Sequence, residues 1–332
     1  MTRVGFFTRL LETGTAADRY RFATEQIQQA ERFGFTSAWV AQHHFHEAEG
    51  GLPSPLVLLA HIAARTSRIR LGTGVITLAM EEPVRVAEDA AVLDVLSGGR
   101  LEIGLGSGGT PSSFTAFGET FDARYETFEG HLATLLDAWR GKDLGGPENR
   151  LYPAGGTLPE RLWQATFSAA GGERAGRRGD GLMLSRTQPR DQSAPAATLP
   201  ELQNPIIDAY LGVLPETGRP RILASRTLFV SEDREEALHH ADLGLRRAAA
   251  VMKYLDPRLK DAPLADLIQA LDTHVGTPED VIRSLAEDSA LARATDVAFQ
   301  VHSVDPPHRL TLRSIELIAT RVVPHFGWQL TP

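Results

Sequence analysis

Short apolar, β-branched runs alternate with longer stretches of helical periodicity almost throughout this 332-residue chain, and that alternation limits its possible folds more than any motif does. The first run is Arg3-Val4-Gly5-Phe6-Phe7-Thr8. Thr15-Ala16-Ala17-Asp18 follows with the spacing of a capping box, and Tyr20, Ala23, Ile27 and Ala30 then form one helical stripe that stops at Gly34. Further strands are expected at 37–42, 69–78, 100–105, 162–166, 181–184, 222–230 and 296–302. Helices are expected at 54–66, 83–96, 122–140 and 308–323, with another started by Ser231 ahead of Glu232, Asp233, Glu235 and Glu236. Eight strand–helix steps without a compositional break predict a parallel sheet closed into a (β/α)8 TIM barrel, one domain over residues 1–332. Two connections are longer than a turn requires, 106–121 and 185–205; both leave the C-terminal ends of strands, and the second is expected to be mobile.

Composition narrows the chemistry. A net charge of -8 weighs against nucleic acid or an anionic membrane as the main partner. With no cysteine there are no disulfides, thiolate nucleophiles, iron–sulfur clusters or thiolate zinc sites. No apolar stretch is long enough to cross a bilayer and no leader pattern is visible, so a cytoplasmic location is expected.

Three segments carry candidate chemistry. The second strand empties into Gln42-His43-His44-Phe45-His46, which puts imidazoles at a strand exit where the sheet positions them and a ligand can reach them. Surface histidines capping a strand are the plainer alternative. These histidines lack a carboxylate set at ligand spacing, so no metal is expected. Gly104-Leu105-Gly106-Ser107-Gly108-Gly109 spells the dinucleotide fingerprint G-x-G-x-x-G, but it follows the fourth strand and opens no helix. A glycine-rich exit that lets a flat ring or a phosphate approach the backbone fits better than a nicotinamide site. Ser168-Ala169-Ala170-Gly171-Gly172 starts a helix after the fifth strand, as an anion cradle or as a simple N-cap.

Taken together, Gln42-His43-His44-Phe45, Leu71-Gly72-Thr73-Gly74-Val75-Ile76, Pro83 to Asp89, Leu96 to Leu101 and Gly104 to Gly108 resemble the luciferase-like flavin monooxygenases, non-luminous branch. A weaker likeness continues through Gly179 to Met183, Arg226 to Val230 and Val275 to Glu279. The resemblance implies a barrel holding reduced FMN at its C-terminal mouth, which reacts with dioxygen to oxidise a small organic substrate. It also implies a separate flavin reductase, a homodimer formed through the second and third helices, and His43 as the catalytic histidine. Gly74-Val75 falls on the family's non-proline cis peptide beneath the flavin ring, and Gly106 and Ser107 on its ring and phosphate surroundings. Ser168, Gly171, Gly172 and Tyr125 fall on phosphate contacts, with Arg124 able to serve in place of Tyr125. His44, Arg186 and His302 are assigned to the substrate pocket, with Arg186 suited to an anionic substrate; a packing role is the alternative for His44 and a structural bond for His302. The chain departs from the pattern at Gln42, where the family has an acid, and at Gly106 and Ser107, where luciferase has a cysteine and an arginine. Those changes speak against light emission. F420-dependent enzymes share the barrel, and the paired His43-His44 favours FMN over that deazaflavin. A non-catalytic flavin-binding protein is a further rival. Glu88 and Asp89, set in an apolar helix, are expected to be paired or to lie at a subunit boundary.

Overall fold

Ten strands, all pairing in parallel, carry the alternation: β1 (Arg3–Thr8), β2 (Ser37–Val40), β3 (Arg70–Thr73), β4 (Ile76–Thr77), β5 (Leu101–Gly106), β6 (Leu162–Ala165), β7 (Gly181–Leu184), β8 (Ile222–Val230), β9 (Thr273–Gly276) and β10 (Asp296–Gln300). They come from a computed structural model that describes residues 1–191, 193–251, 259, 261–301 and 304–331. Around the ring the order is β1, β2, β3, β5, β6, β7, β8 and β10, and pairing of β10 with both β8 and β1 closes the barrel. The expected (β/α)8 barrel is therefore present, with β4 and β9 added to it.

The strand expected at 69–78 is broken. Leu71 pairs with Leu101 and Ile76 with Leu105, so the β3–β4 side carries one residue more than β5 between those rungs. The extra residue falls at the Gly74–Val75 peptide, which is cis, as the resemblance implied. Long β8 serves two neighbours: Leu223 to Thr227 pair with β10, and Thr227 to Val230 pair with β9.

Phe7, Trp39, Trp163, Met183, Leu223 and Ala298 fill the barrel interior, and the larger apolar core lies between strands and helices. The two tryptophans meet edge to face at 5.8 Å. Their indole N–H groups donate to Ser37 and Glu102, which removes the cost of burying them unpaired. The barrel is thus plugged below its mouth, and a ligand has room only above this layer.

Several helices follow the sequence closely. The Thr15–Asp18 capping box is formed, and Pro83–Leu96 has the expected bounds. Others correct it. The helix Arg234–Val251 is capped by Asp233, whose carboxylate accepts the N–H groups of Glu235 and Glu236, and not by Ser231. The segment 185–205 is not all loop, since a helix begins at Leu199. Thr198 and Glu201 form a capping box for the helix Leu199–Leu211, and Arg190 is fixed by an ion pair to Asp272. The segment 106–121 contains short turns at Pro111–Phe114 and Thr115–Phe117. Glu88 and Asp89 pair with Arg85 on their own helix, at 2.7 and 3.0 Å. Among the described residues no helix is long and apolar enough to cross a membrane.

Candidate functional site

The residues singled out from the sequence leave the C-terminal ends of the barrel strands, and their order follows the strand order. His43 lies three residues beyond β2, next to the exit of β3 at Gly74–Val75. The Gly74 N–H donates to Val40 O at 2.8 Å, which ties the two exits together. On the next two strands come Gly106 at the end of β5 and Ala165 at the end of β6. A Cβ on Gly106 would stand 2.9 Å from Val75 Cγ2 and 4.0 Å from Ala165 Cβ. Val75, Gly106 and Ala165 therefore form a low apolar step above the interior tryptophans. Val75 and Ala165 are only partly covered, although both pack on the interior cluster.

Three residues past Ala165, Ser168 caps the helix Ala169–Arg178, its Oγ accepting the Gly171 N–H at 3.2 Å. Gly172 donates to the Ser168 carbonyl at 3.1 Å. The N–H groups of Ala169 and Ala170 make no hydrogen bond among the described residues and mark the positive end of the helix. Gly172 also has a packing reason: a Cβ there would come within 2.5 Å of Ile206 O on the neighbouring helix. Tyr125 is exposed in the first turn of Arg124–Trp139, with the Arg124 guanidinium 4.2 Å from its ring. Ser107 follows β5 and is partly covered.

Arg9 and Gly50 stand against the His43 ring. Arg9 Nη2, one residue past β1, lies 3.4 Å from His43 Nε2. Nδ1 is buried without a hydrogen-bond partner among the described residues and sits against Gly50, where a Cβ would come within 2.5 Å of it. Burial, then the charges of Arg9 and Arg186, then His44, hold the imidazole well below its ordinary pKa. It is neutral at neutral pH. A cavity of about 190 Å³ opens beside it, between the first turn of the helix Ala16–Arg32 and the loop after β2, lined by Arg19, His46, Gly50 and Pro53 among others.

His44 packs against two phenylalanines. Its ring meets Phe117 edge-on at 4.7 Å and Phe45 at 5.8 Å, and burial lowers its pKa. His46 bonds Ser112 Oγ at 2.8 Å, and Glu49 accepts from Thr110 Oγ1 at 2.9 Å. The loops after β2 and β5 are thereby clasped together at three points across the exit of β3. Gln42 lies beneath the clasp. Its Oε1 accepts the Thr77 N–H at 2.7 Å, and its Nε2 donates to Pro53 O at 3.1 Å and to Glu81 at 2.6 Å. Arg186 leaves β7, is buried, and donates to Thr227 Oγ1 of β8 at 3.2 Å. His302 lies outside the described residues.

The family model for luciferase-like monooxygenases matches residues 2–295. The chain belongs to that family. Proteins similar to it include limonene 1,2-monooxygenase of Rhodococcus erythropolis, 27% identical over 93% of this chain and 82% of the relative. The crystal structure of monooxygenase RslO1 from Streptomyces bottropensis superposes with a TM-score of 0.77 at 26% identity, covering 98% of this chain and 100% of the other. The FMN complex of the oxygenating constituent of 3,6-diketocamphane monooxygenase from Pseudomonas putida shares the fold, with a TM-score of 0.75 at 18% identity over 100% of both chains. The protein is accordingly an enzyme of the luciferase-like group of flavin-dependent oxidoreductases.

Sequence reasoning missed Arg9, Gly50 and the Gln42–Thr77–Glu81 network. Arg9 carried a readable signal, since a charge directly after an apolar strand is placed as His43 is. Gly50 had none, because its partner is distant in the loop and only the folded chain brings them together.

Proposed function

We propose that this luciferase-like monooxygenase is FMN-dependent: reduced FMN and dioxygen oxidise a small organic substrate at the barrel mouth. The observation that carries this reading is the step formed by Val75, Gly106 and Ala165. It is apolar, lacks a side chain at its centre, and runs from the His43 exit to the Ser168-capped helix. A planar ring fits on such a step, and a phosphate fits the free N–H groups of Ala169 and Ala170 beside the Ser168 hydroxyl. Gly171 leaves room for the Thr166 side chain at the same turn. Bound reduced FMN would supply two electrons to dioxygen, one atom entering the substrate and the other leaving as water.

The chain's own groups do the rest. His43 is held neutral beside the mouth, as a hydrogen-bond partner that releases a proton readily once it has one, because burial and two neighbouring guanidinium groups disfavour its cation. The clasp fixes the loops on either side of the exit of β3. Tyr125 and Arg124 lie on the phosphate side. Reduced flavin would come from a separate cytoplasmic reductase. Val57, Val95 and Leu96, at 72%, 65% and 66% exposure on the helices Pro55–Ala63 and Pro83–Leu96, favour a homodimer that covers them.

Titration with FMN and with F420, followed by flavin absorbance and fluorescence, tests the assignment. FMN is expected to bind, and Gly106→Leu to weaken it by about a hundredfold by raising the step. Tight binding of F420 without FMN would overturn the cofactor. Unchanged substrate turnover in His43→Asn would remove the imidazole from the chemistry.

A further inference from the structure

The cavity beside His43 offers a ligand no free charge. Ala16 and Arg19 line it from the helix Ala16–Arg32, and Phe45, His46, Gly50 and Pro53 from the loop after β2. Arg19 is engaged: it donates to Glu12 O at 2.8 Å and pairs with Glu47, also in the lining, at 3.0 Å. His46 is bonded to Ser112, and His43 is uncharged at neutral pH. The rest of the wall is apolar or glycine. Its volume of about 190 Å³ is larger than the roughly 150 Å³ of an apolar cavity that holds benzene.

Phe45 is the unusual member of that wall. Its φ is 64°, in the left-handed region that a bulky side chain rarely adopts. Its ring is nonetheless 67% exposed, although it meets His44 at 5.8 Å and Phe117 at 5.9 Å. Folding gains little from a phenyl group left in water on a strained backbone. A ligand in the cavity covers that ring, and such strain is characteristic of residues that clamp ligands. His43 ties the cavity to the chemistry. It lines this space and also follows β2 at the exit next to Gly74–Val75.

We propose that this cavity receives an uncharged, apolar part of the substrate, about the size of a six-membered ring, and that Phe45 is the specificity-determining residue that covers it. The substrate class is then a neutral small organic molecule, neither a carboxylate nor an ammonium ion. This rests on reading the step as the flavin site, since only then is the occupant of the cavity the molecule being oxidised.

The test uses the full-length protein saturated with oxidised FMN. The probes are 4-fluorobenzyl alcohol and its charged counterparts 4-fluorobenzoate and 4-fluorobenzylammonium, each followed by fluorine NMR titration. The alcohol is expected to bind at least about tenfold more tightly than either ion. Ala16→Trp, which fills the cavity from the first turn of its helix, should weaken the alcohol at least about tenfold while changing FMN affinity less than about twofold. Phe45→Asn suits the left-handed backbone and removes the ring, so the alcohol should again bind about tenfold more weakly while the thermal midpoint holds or rises. A charged probe that binds as tightly as the alcohol overturns the proposal. So does alcohol binding that is unchanged in either variant, because the probe would then sit elsewhere. A midpoint that falls in Phe45→Asn gives the ring to packing and overturns it too. Protein that binds no FMN, yet loses alcohol binding in both variants, would sink the flavin reading and leave the cavity assignment standing.

Discussion

Arg9 Nη2 stands 3.4 Å from His43 Nε2, and this contact sets the character of the site. A guanidinium has donors and no acceptor, so Nε2 must be the lone-pair nitrogen and Nδ1 the one that carries hydrogen. Nδ1 in turn abuts Gly50 without a polar partner among the described residues. The imidazole is thus oriented from one side by charge and from the other by shape. Its cation is disfavoured, so the ring is a weak base and gives up a proton readily once protonated.

Replacing Arg9 should make His43 easier to protonate. The folded-state pKa of His43 lies well below the value of about 6.5 expected for the unfolded chain, so between the two the unfolded chain binds a proton that the folded one refuses. Its contribution to stability is complete above about pH 6.5 and is lost as pH falls. Arg9→Gln narrows the gap. NMR titration of the His43 ring should show an upward shift, and urea midpoints should fall less between about pH 7 and 5 in the variant than in the native chain. An unmoved ring pKa would show that Arg9 does not help set it.

Gly50→Ala is a purely steric probe of the same ring. The added methyl would come within 2.5 Å of Nδ1 and 3.1 Å of Arg9 O, so the imidazole has to move. Misplacing a reacting group by about 1 Å can cost on the order of a hundredfold in rate, which is the expected fall in turnover at nearly native stability. Turnover within about twofold of native would show that the position of His43 is not critical.

The same contrast between near and distant partners decides how much of this molecule the sequence discloses. Strand periodicity located β1, β7 and β8 to the residue, because their burial pattern is continuous and their flanks are glycine, proline or charge. It failed at 199–211, where Pro200 and Pro205 read as loop; Pro200 sits in the first helical turn, where it costs no hydrogen bond. It passed over β9, four residues whose pairing with the far half of β8 leaves no local trace. In the site, His43 was legible as an imidazole at a strand exit. The packing of His44 on Phe117 was open only as one alternative, since it depends on how two loops meet across a third strand.

Gln42 occupies the position at which the family carries an acid, and its neighbours explain the amide. It donates to Glu81 at 2.6 Å and accepts from Thr77 N at 2.7 Å, a pattern no carboxylate can complete. Burial already pushes the Glu81 pKa up. Gln42→Glu would set two carboxylates against each other, costing about 1–3 kcal/mol at pH values where both ionise. Protonation of either partner relieves the repulsion. The variant's thermal midpoint should therefore lie further below the native one at about pH 8 than at about pH 5. A deficit that does not depend on pH would place the added charge in contact with solvent.

Gly172 separates packing from ligand binding at the Ser168 turn. Its Cα faces Ile206 O, where a methyl would have only 2.5 Å, and Gly176 one turn later meets Tyr210 O at 2.4 Å in the same way. The two glycines let the helices Ala169–Arg178 and Leu199–Leu211 approach closely, backbone against backbone. Gly172→Ala should therefore destabilise the fold by about 1–3 kcal/mol through overpacking. Ser168→Ala, which removes a cap and a hydroxyl, should cost about 1 kcal/mol of stability and also weaken FMN binding. If Gly172→Ala instead leaves the thermal midpoint unchanged and abolishes FMN binding alone, that glycine is there for the phosphate and not for the neighbouring helix.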